Sequence, residues 1–102
     1  MDPFDFLQDW YLRHCDGDWE HMYGVQIGTL DNPGWSVDID LAETELEDKS
    51  FAPIRRNSES DTNWVVAAVR EKKFEARGGP KNLREMLVTF QCWAETCSDI
   101  SN

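Results

Sequence analysis

Residues 35–41 constrain the fold of this chain more than any other stretch. Four apolar side chains alternate there with a serine and two aspartates, in the order WSVDIDL. This period of two is typical of a strand with one buried face, and a slip of one residue would bury both carboxylates. The segment DNPG at 31–34 is a strong turn signal, and residues 21–30 alternate in a similar way. The sequence therefore predicts a β-hairpin of 21–30 and 35–41, which we place at the centre of a sheet.

Both ends of the chain carry the pattern of an amphipathic helix. In residues 2–15, Asp2 can cap the helix, Pro3 suits the first helical position, and apolar side chains recur every three or four residues. In residues 80–97, Pro80 suits the first turn and a second apolar stripe follows. We therefore predict one helix before the sheet and one after it.

The segments between the hairpin and the second helix predict further strands. Residues 64–69 are strongly apolar and predict a strand buried on both faces, to which 73–77 return antiparallel. Residues 51–54 form either a short edge strand or an irregular loop, because their proline argues against a central position. Short connections favour sequential hairpins, so we expect residues 21–77 to form a four- to five-stranded antiparallel sheet. Both helices would pack on one face of it, which is an α+β fold. The 102 residues fit a single domain with a polar tail at 98–102.

The charge of the chain is concentrated in one stretch. Residues 16–48 hold ten of the 20 acidic residues and no Lys or Arg, so they carry the whole formal net charge of −10. Phosphate binding needs clustered Lys and Arg, so nucleic acid is not an expected partner. A segregated acidic surface suits a basic protein partner instead. The simpler interpretation is that the acids serve solubility alone.

The cysteine count and the N-terminus indicate where the chain functions. Cys15, Cys92 and Cys97 give an odd count without Cys-x-x-Cys spacing, which argues against a disulfide framework. No apolar run reaches the roughly 18 residues of a membrane span. The acidic start also lacks the basic and apolar regions of a signal peptide. We therefore expect free thiols, no membrane contact and a cytoplasmic location.

Three groups of residues could carry chemistry. The D-x-D-x-E pattern at 16–20 resembles a cation loop, but the glycine and the bidentate glutamate of an EF-hand are missing. Asp38 and Asp40 share one strand face, where paired carboxylates could do acid–base work. Cys15, which has a histidine next to it, could act as a nucleophile. An alternative function is therefore a small cytosolic hydrolase or sulfur-transfer enzyme using Cys15 or the Asp38/Asp40 pair. A solvated strand face and a buried thiol are the simpler interpretations, and no metal or cofactor is expected.

Trp19 lies in a polar turn among carboxylates, unlike the other tryptophans, which we assign to the core. An aromatic ring surrounded by acids is typical of a binding hot spot for an arginine-rich partner. The same ring could instead close the end of the core. The sequence leaves both positions open.

Three segments of the chain resemble the immunity protein 53 family of bacterial polymorphic toxin systems. They are WY at 10–11 followed by CDGDWEH at 15–21, LDNPGWSVDIDL at 30–41, and GGPKNL at 78–83. Their order and spacing fit over about residues 6–95. The chain departs from the family at 71–73, where a glycine-containing turn is expected.

The resemblance implies a small cytosolic protein that binds and neutralises a cognate toxin domain and is not an enzyme. Toxins of this kind are often nucleases with basic clefts, so an acidic surface would imitate phosphate charge. The binding residues that we predict are Asp16, Asp18, Trp19, Glu20, Asp38, Asp40, Glu43 and Glu45. Among them we expect Trp19 and Asp38 to be the anchors. The resemblance supplies no catalytic residues.

Overall fold

The computed structural model describes residues 1–57 and 61–96 of the chain. Within them, three helices and five strands follow one another as α1 (Pro3–His14), α2 (Trp19–Met22), β1 (Val25–Leu30), β2 (Gly34–Asp40), β3 (Ile54–Arg56), β4 (Val65–Arg70), β5 (Lys73–Gly78) and α3 (Leu83–Glu95). The strands form one antiparallel sheet, so the predicted α+β fold is confirmed. The predicted tail at 98–102 and the last residue of the predicted helix 80–97 lie outside the described residues.

The two predicted helices are present with shifted ends. α1 begins at its predicted cap, since the Asp2 carboxylate accepts hydrogen bonds from two backbone N–H groups of the first turn at 2.7 and 3.3 Å. α3 begins at Leu83, so the prediction that Pro80 lies in its first turn is wrong. The physical reason is that the chain is still bonded to the strand region there, because the N–H of Gly79 donates to the carbonyl oxygen of Trp64 at 3.0 Å.

The order of the strands differs from a series of sequential hairpins. It is β1-β2-β5-β4-β3, so β5 is the central strand, and the prediction that the first hairpin forms the centre is wrong. β5 suits the centre because Phe74 and Ala76 are fully buried on one face, while the charged residues that alternate with them are half-buried. β3 has three residues and directly follows Pro53, so an edge position suits it. Of residues 51–54, which the sequence predicted as a short edge strand or an irregular loop, only Ile54 belongs to this edge strand, and 51–53 are irregular.

Residues 19–22 form a short helix, so the prediction that a strand begins at residue 21 is wrong. β1 begins only at Val25. The Asp16 carboxylate accepts hydrogen bonds from the N–H groups of Asp18 and Trp19, each at 3.0 Å, and so stabilises the start of the helical turn. Gly17 reverses the chain with φ of +96°. Local hydrogen bonding therefore outweighs the alternating pattern in these residues.

Both long helices pack on the same face of the sheet, as predicted, and the core lies between them and the strands. Phe90 of α3 is central to it, because its ring centroid lies 5.3 Å from those of Trp10 in α1 and Phe74 in β5. On the opposite face of the sheet, Val66 and Ala68 of β4 are only half-buried. The prediction that this strand is buried on both faces is therefore wrong, because no helix among the described residues packs there.

Two local features depend on backbone geometry. Glu71 and Lys72 join β4 to β5 with φ of +52° and +61°, the conformation of a two-residue hairpin turn that favours asparagine and glycine. This is the segment where the resemblance in the sequence leads us to expect a glycine-containing turn. A Cβ added to Gly34 would lie 2.3 Å from the carbonyl oxygen of Gly78, so glycine permits the close pairing of β2 with β5.

Candidate functional site

The turn before α2 holds three carboxylates of the predicted binding site. Besides the bonds of Asp16 described above, Glu20 accepts hydrogen bonds from the backbone N–H groups of Asp16 and Gly17 at 2.9 and 2.8 Å. Bonds from backbone N–H groups, chiefly that of Trp19 for Asp16 and its own for Glu20, lower the pKa of each carboxyl below its ordinary value. Asp18, at the cap position of α2, makes no side-chain capping bond. Backbone N–H groups stabilise negative charge without cancelling it, so the turn presents three negative charges to solvent.

Trp19 closes the end of the core. Its side chain is only 4% exposed, and its ring centroid lies 5.9 and 6.0 Å from those of Trp10 and Tyr23. Its Nε1 donates to the carbonyl oxygen of Ala42 at 2.9 Å. The sequence left open whether this ring is a binding hot spot at the surface or closes the end of the core. In the structure it closes the core, so the ring is not available as a surface anchor. The bond to Ala42 also joins the turn 16–20 to the loop that follows β2.

The loop 41–53 between β2 and β3 is held against α1 by its own side chains. Leu46 is 2% exposed and belongs to the core. Glu45 accepts a hydrogen bond from Trp10 Nε1 at 2.9 Å, and its other oxygen lies 2.7 Å from Nε2 of His14. Nδ1 of His14 lies 2.7 Å from the carbonyl oxygen of Trp10, so both ring nitrogens have a hydrogen-bond partner within the fold.

Glu45 therefore stabilises the fold. Burial raises the pKa of its carboxyl, but hydrogen bonds from its own N–H, from Trp10 and from His14 outweigh burial and hold the pKa below its ordinary value. The charged form is favoured because its partners are donors. A residue that the sequence assigned to a binding surface thus has two internal partners.

Asp38 and Asp40 lie on the open face of the sheet, where each is near a basic side chain of β5, although Asp38 itself pairs with Glu75. Nη1 of Arg77 donates to Asp38 at 3.0 Å, and Nζ of Lys73 lies 3.7 Å from Asp40. Asp40 also accepts a hydrogen bond from the N–H of Gly24 at 2.9 Å. This face therefore carries charges of both signs, and the two aspartates do not form an isolated carboxylate pair.

The structure divides the predicted carboxylates into two groups. Three have a cationic or imidazole partner from a distant part of the chain, and they are Asp38, Asp40 and Glu45. Four make no ion pair with a Lys or Arg of the described ranges, and they are Asp16, Asp18, Glu20 and Glu43. We name these four residues the acidic corner. Glu43 is exposed and follows Ala42, so the bond between Trp19 and Ala42 brings its segment next to the turn.

A cleft of about 580 Å³ opens between α1, α2 and the start of β1. Its lining includes Leu7, Tyr11, Met22, Tyr23, Val25 and Asp40. Tyr11 and Met22 are 38% and 72% exposed, although both are large and apolar. The sequence patterns did not indicate this cleft, because one face of α1 matched a core stripe and residues 21–22 matched a strand. The sequence feature that could have indicated the cleft is the pair Tyr11 and Met22, two large apolar side chains on either side of the acidic turn.

The comparisons with known proteins agree with the motifs. Residues 4–95 of the chain match the family described as Immunity protein 53. The chain belongs to this family. No curated protein and no solved structure matches it. The role of the Immunity protein 53 family is toxin neutralisation, so the chain is an immunity protein and its implied partner is a toxin protein.

The alternative function predicted from the sequence, a hydrolase or sulfur-transfer enzyme, depends in part on Cys15. The Cys15 thiol is half-buried and donates to the carbonyl oxygen of Tyr11 at 3.3 Å, and Cys15 and Cys92 are free. Cys97 lies outside the described residues. Within residues 1–57 and 61–96, no group of three or more His, Cys, Asp or Glu side chains could hold a metal ion. No helix in the same ranges is long and apolar enough to cross a membrane.

Proposed function

We propose that this immunity protein binds its cognate toxin domain through the acidic corner and neutralises the toxin by covering its active site or an adjacent surface. The observation that carries the proposal is the acidic corner itself, in a chain that matches the Immunity protein 53 family over residues 4–95. Its four carboxylates make no ion pair with a Lys or Arg among residues 1–57 and 61–96, so no such pair has to break when a partner binds. The cost of breaking an existing ion pair therefore does not oppose association.

The charge of the acidic corner suits a toxin with a basic substrate cleft, such as a nuclease. Opposite fields on two proteins raise the association rate by roughly one to three orders of magnitude at low salt. Asp38 and Asp40 have a smaller part in the proposal because Arg77 and Lys73 already offset their charge, and Glu45 because its carboxylate is bonded to Trp10 and His14. In this proposal the protein acts as a single domain in the cytoplasm. It acts without catalysis, because neutralisation needs only a stable complex.

The test is to neutralise the acidic corner at positions without a structural role. Asp18→Asn plus Glu43→Gln removes two charges from side chains that make no ion pair with the described residues. The matched control is Asp61→Asn plus Glu95→Gln, which makes the same charge change on exposed residues outside the corner. Titration calorimetry against an inactive form of the toxin domain encoded beside this chain would compare the two double variants with the unmodified protein.

We expect the corner variant to bind roughly 3- to 30-fold more weakly at low salt, with a smaller loss at about 0.15 M salt. The control variant should bind as the unmodified protein does, apart from a small effect of net charge. Equal affinities for the two double variants would place the interface elsewhere. Absence of any binding to the toxin domain would refute the proposed function.

A further inference from the structure

The two edges of the sheet are protected to different degrees. β3 has three residues, two of them Arg55 and Arg56, and it directly follows Pro53. β1 has six residues, VQIGTL, without a charge or a proline. Natural proteins protect edge strands with short length, charges and proline, because an open edge pairs with other strands. β1 has none of these protections.

The pairing with β2 fixes which backbone groups of β1 point outward. The N–H of Asp40 donates to the carbonyl oxygen of Gly24 at 3.0 Å, so this pair is hydrogen-bonded. In an antiparallel ladder, hydrogen-bonded and non-hydrogen-bonded pairs alternate along the strand. The backbone groups of Gln26, Gly28 and Leu30 therefore face β2, whereas those of Val25, Ile27 and Thr29 face away from the sheet.

The cleft lies beside this same edge. Ile27 and Val25 pair with the buried Val37 and Ile39, so they lie on the helix-covered face, yet Ile27 remains 43% exposed. Val25 also lines the cleft between α1 and α2. A strand added outside β1 would run next to the cleft, and side chains on its helix-covered face would lie against Tyr11 and Met22 and their neighbours.

We propose that the toxin adds a strand to β1, and this inference rests on the proposed function. The β1–β2 hairpin with its turn contains Asp31, Asp38 and Asp40 and no Lys or Arg, and residues of the acidic corner lie on both sides of it in the chain. The added strand therefore carries Lys or Arg next to apolar side chains that enter the cleft. A second copy of this chain suits the edge less, because each copy has a net charge of −10 and brings the same acidic hairpin.

Amide hydrogen exchange resolved by residue tests the proposal on the unmodified protein. In the free protein, the N–H groups of Val25, Ile27 and Thr29 should exchange quickly, while those of Gln26 and Gly28 serve as protected internal controls. In the complex with the inactive toxin domain encoded beside this chain, the three outward N–H groups should slow by at least about tenfold, because they become strand-paired.

A pair of variants at Ile27 separates backbone pairing from side-chain contact. Ile27→Pro removes one outward N–H, a change that an edge strand tolerates, and should weaken toxin binding about 5- to 100-fold. Ile27→Thr keeps the N–H and the β-branched shape and should cost much less. Thermal unfolding would show whether both variants fold. If Ile27→Pro does not fold, the hydrogen-exchange result on the unmodified protein decides the proposal.

The outcomes distinguish the two proposals. A complex that forms while the three outward N–H groups exchange as in the free protein would overturn the strand addition and leave the proposed function standing. If these groups exchange slowly in the free protein and become fast on dilution, a second copy of the chain is bound at this edge. That result would also overturn the strand addition by the toxin. No binding to the toxin domain would overturn both proposals.

Discussion

Glu45→Ala should destabilise the protein without acting on the binding surface directly. The change leaves the indole N–H of Trp10, a fully buried residue, without its acceptor, and it removes the contact with His14. An unsatisfied buried donor costs about 1–3 kcal/mol. The Glu45 side chain is 51% exposed, so water can partly replace it, and we expect a loss of about 1–2 kcal/mol at pH 7. For a chain of this size the midpoint of thermal unfolding should fall by roughly 5–15 °C.

Urea unfolding followed by tryptophan fluorescence measures the loss. Glu43→Ala is the matched control, because it removes the same charge from the same loop, and no side-chain bond of Glu43 joins it to the described residues. The pH dependence has a definite sign. Folding lowers the pKa of Glu45 below its ordinary 4.5, so its contribution is present above that pH and is lost as pH falls through the folded value. The difference between the unmodified protein and Glu45→Ala should therefore shrink below about pH 4.5.

Two results would refute this reasoning. If Glu45→Ala were as stable as Glu43→Ala at pH 7, the contacts with Trp10 and His14 would contribute nothing to folding. If Glu45→Ala kept full stability and lost toxin affinity, Glu45 would be a binding residue, as the sequence predicted. Either result would mean that the division between paired carboxylates and the acidic corner is wrong.

Two further predictions follow from backbone geometry and from capping. Glu71→Asn should stabilise the protein by roughly 0.5–1 kcal/mol in urea unfolding, because Asn tolerates the positive φ of +52° better than Glu; unchanged or lower stability would contradict this. Asp16→Asn keeps an acceptor for the N–H of Trp19 but removes the charge. Folding lowers the pKa of Asp16, so its charge stabilises the fold above its ordinary 3.8 and stops doing so as pH falls through the lower folded value. Thermal midpoints of the two proteins should converge in that acidic range, and a constant difference would count against it.

The paired and unpaired carboxylates could not be separated from the sequence, because their partners are distant in the chain. His14 and Glu45 are 31 residues apart, and Arg77 and Asp38 are 39 apart. Strand order decides the second contact, since β2 lies beside β5 and not beside β3. Sequence patterns report local period and local turns, and neither one specifies which distant strand becomes the neighbour.

The burial of Trp19 has the same origin. Its neighbours in the chain are polar and charged, so the local sequence is compatible with a surface position. Its burial depends on α1 and on the carbonyl oxygen of Ala42, 23 residues away. The segment around Leu46 is likewise rich in acidic residues, yet this one apolar side chain is 2% exposed and belongs to the core.

The sequence by itself determined which face of β2 is buried, the presence of the two long helices and the family. These depend on short periods, on turn residues and on motifs that lie within one segment, and a strand register is strongly specified wherever a slip would bury charge. Only the tertiary structure decided the order of the strands, the cleft beside β1 and which carboxylates lack a Lys or Arg partner in the part of the chain that the structure describes. Those features arise where separate segments meet, because packing and charge pairing depend on distances in space and not on spacing along the chain.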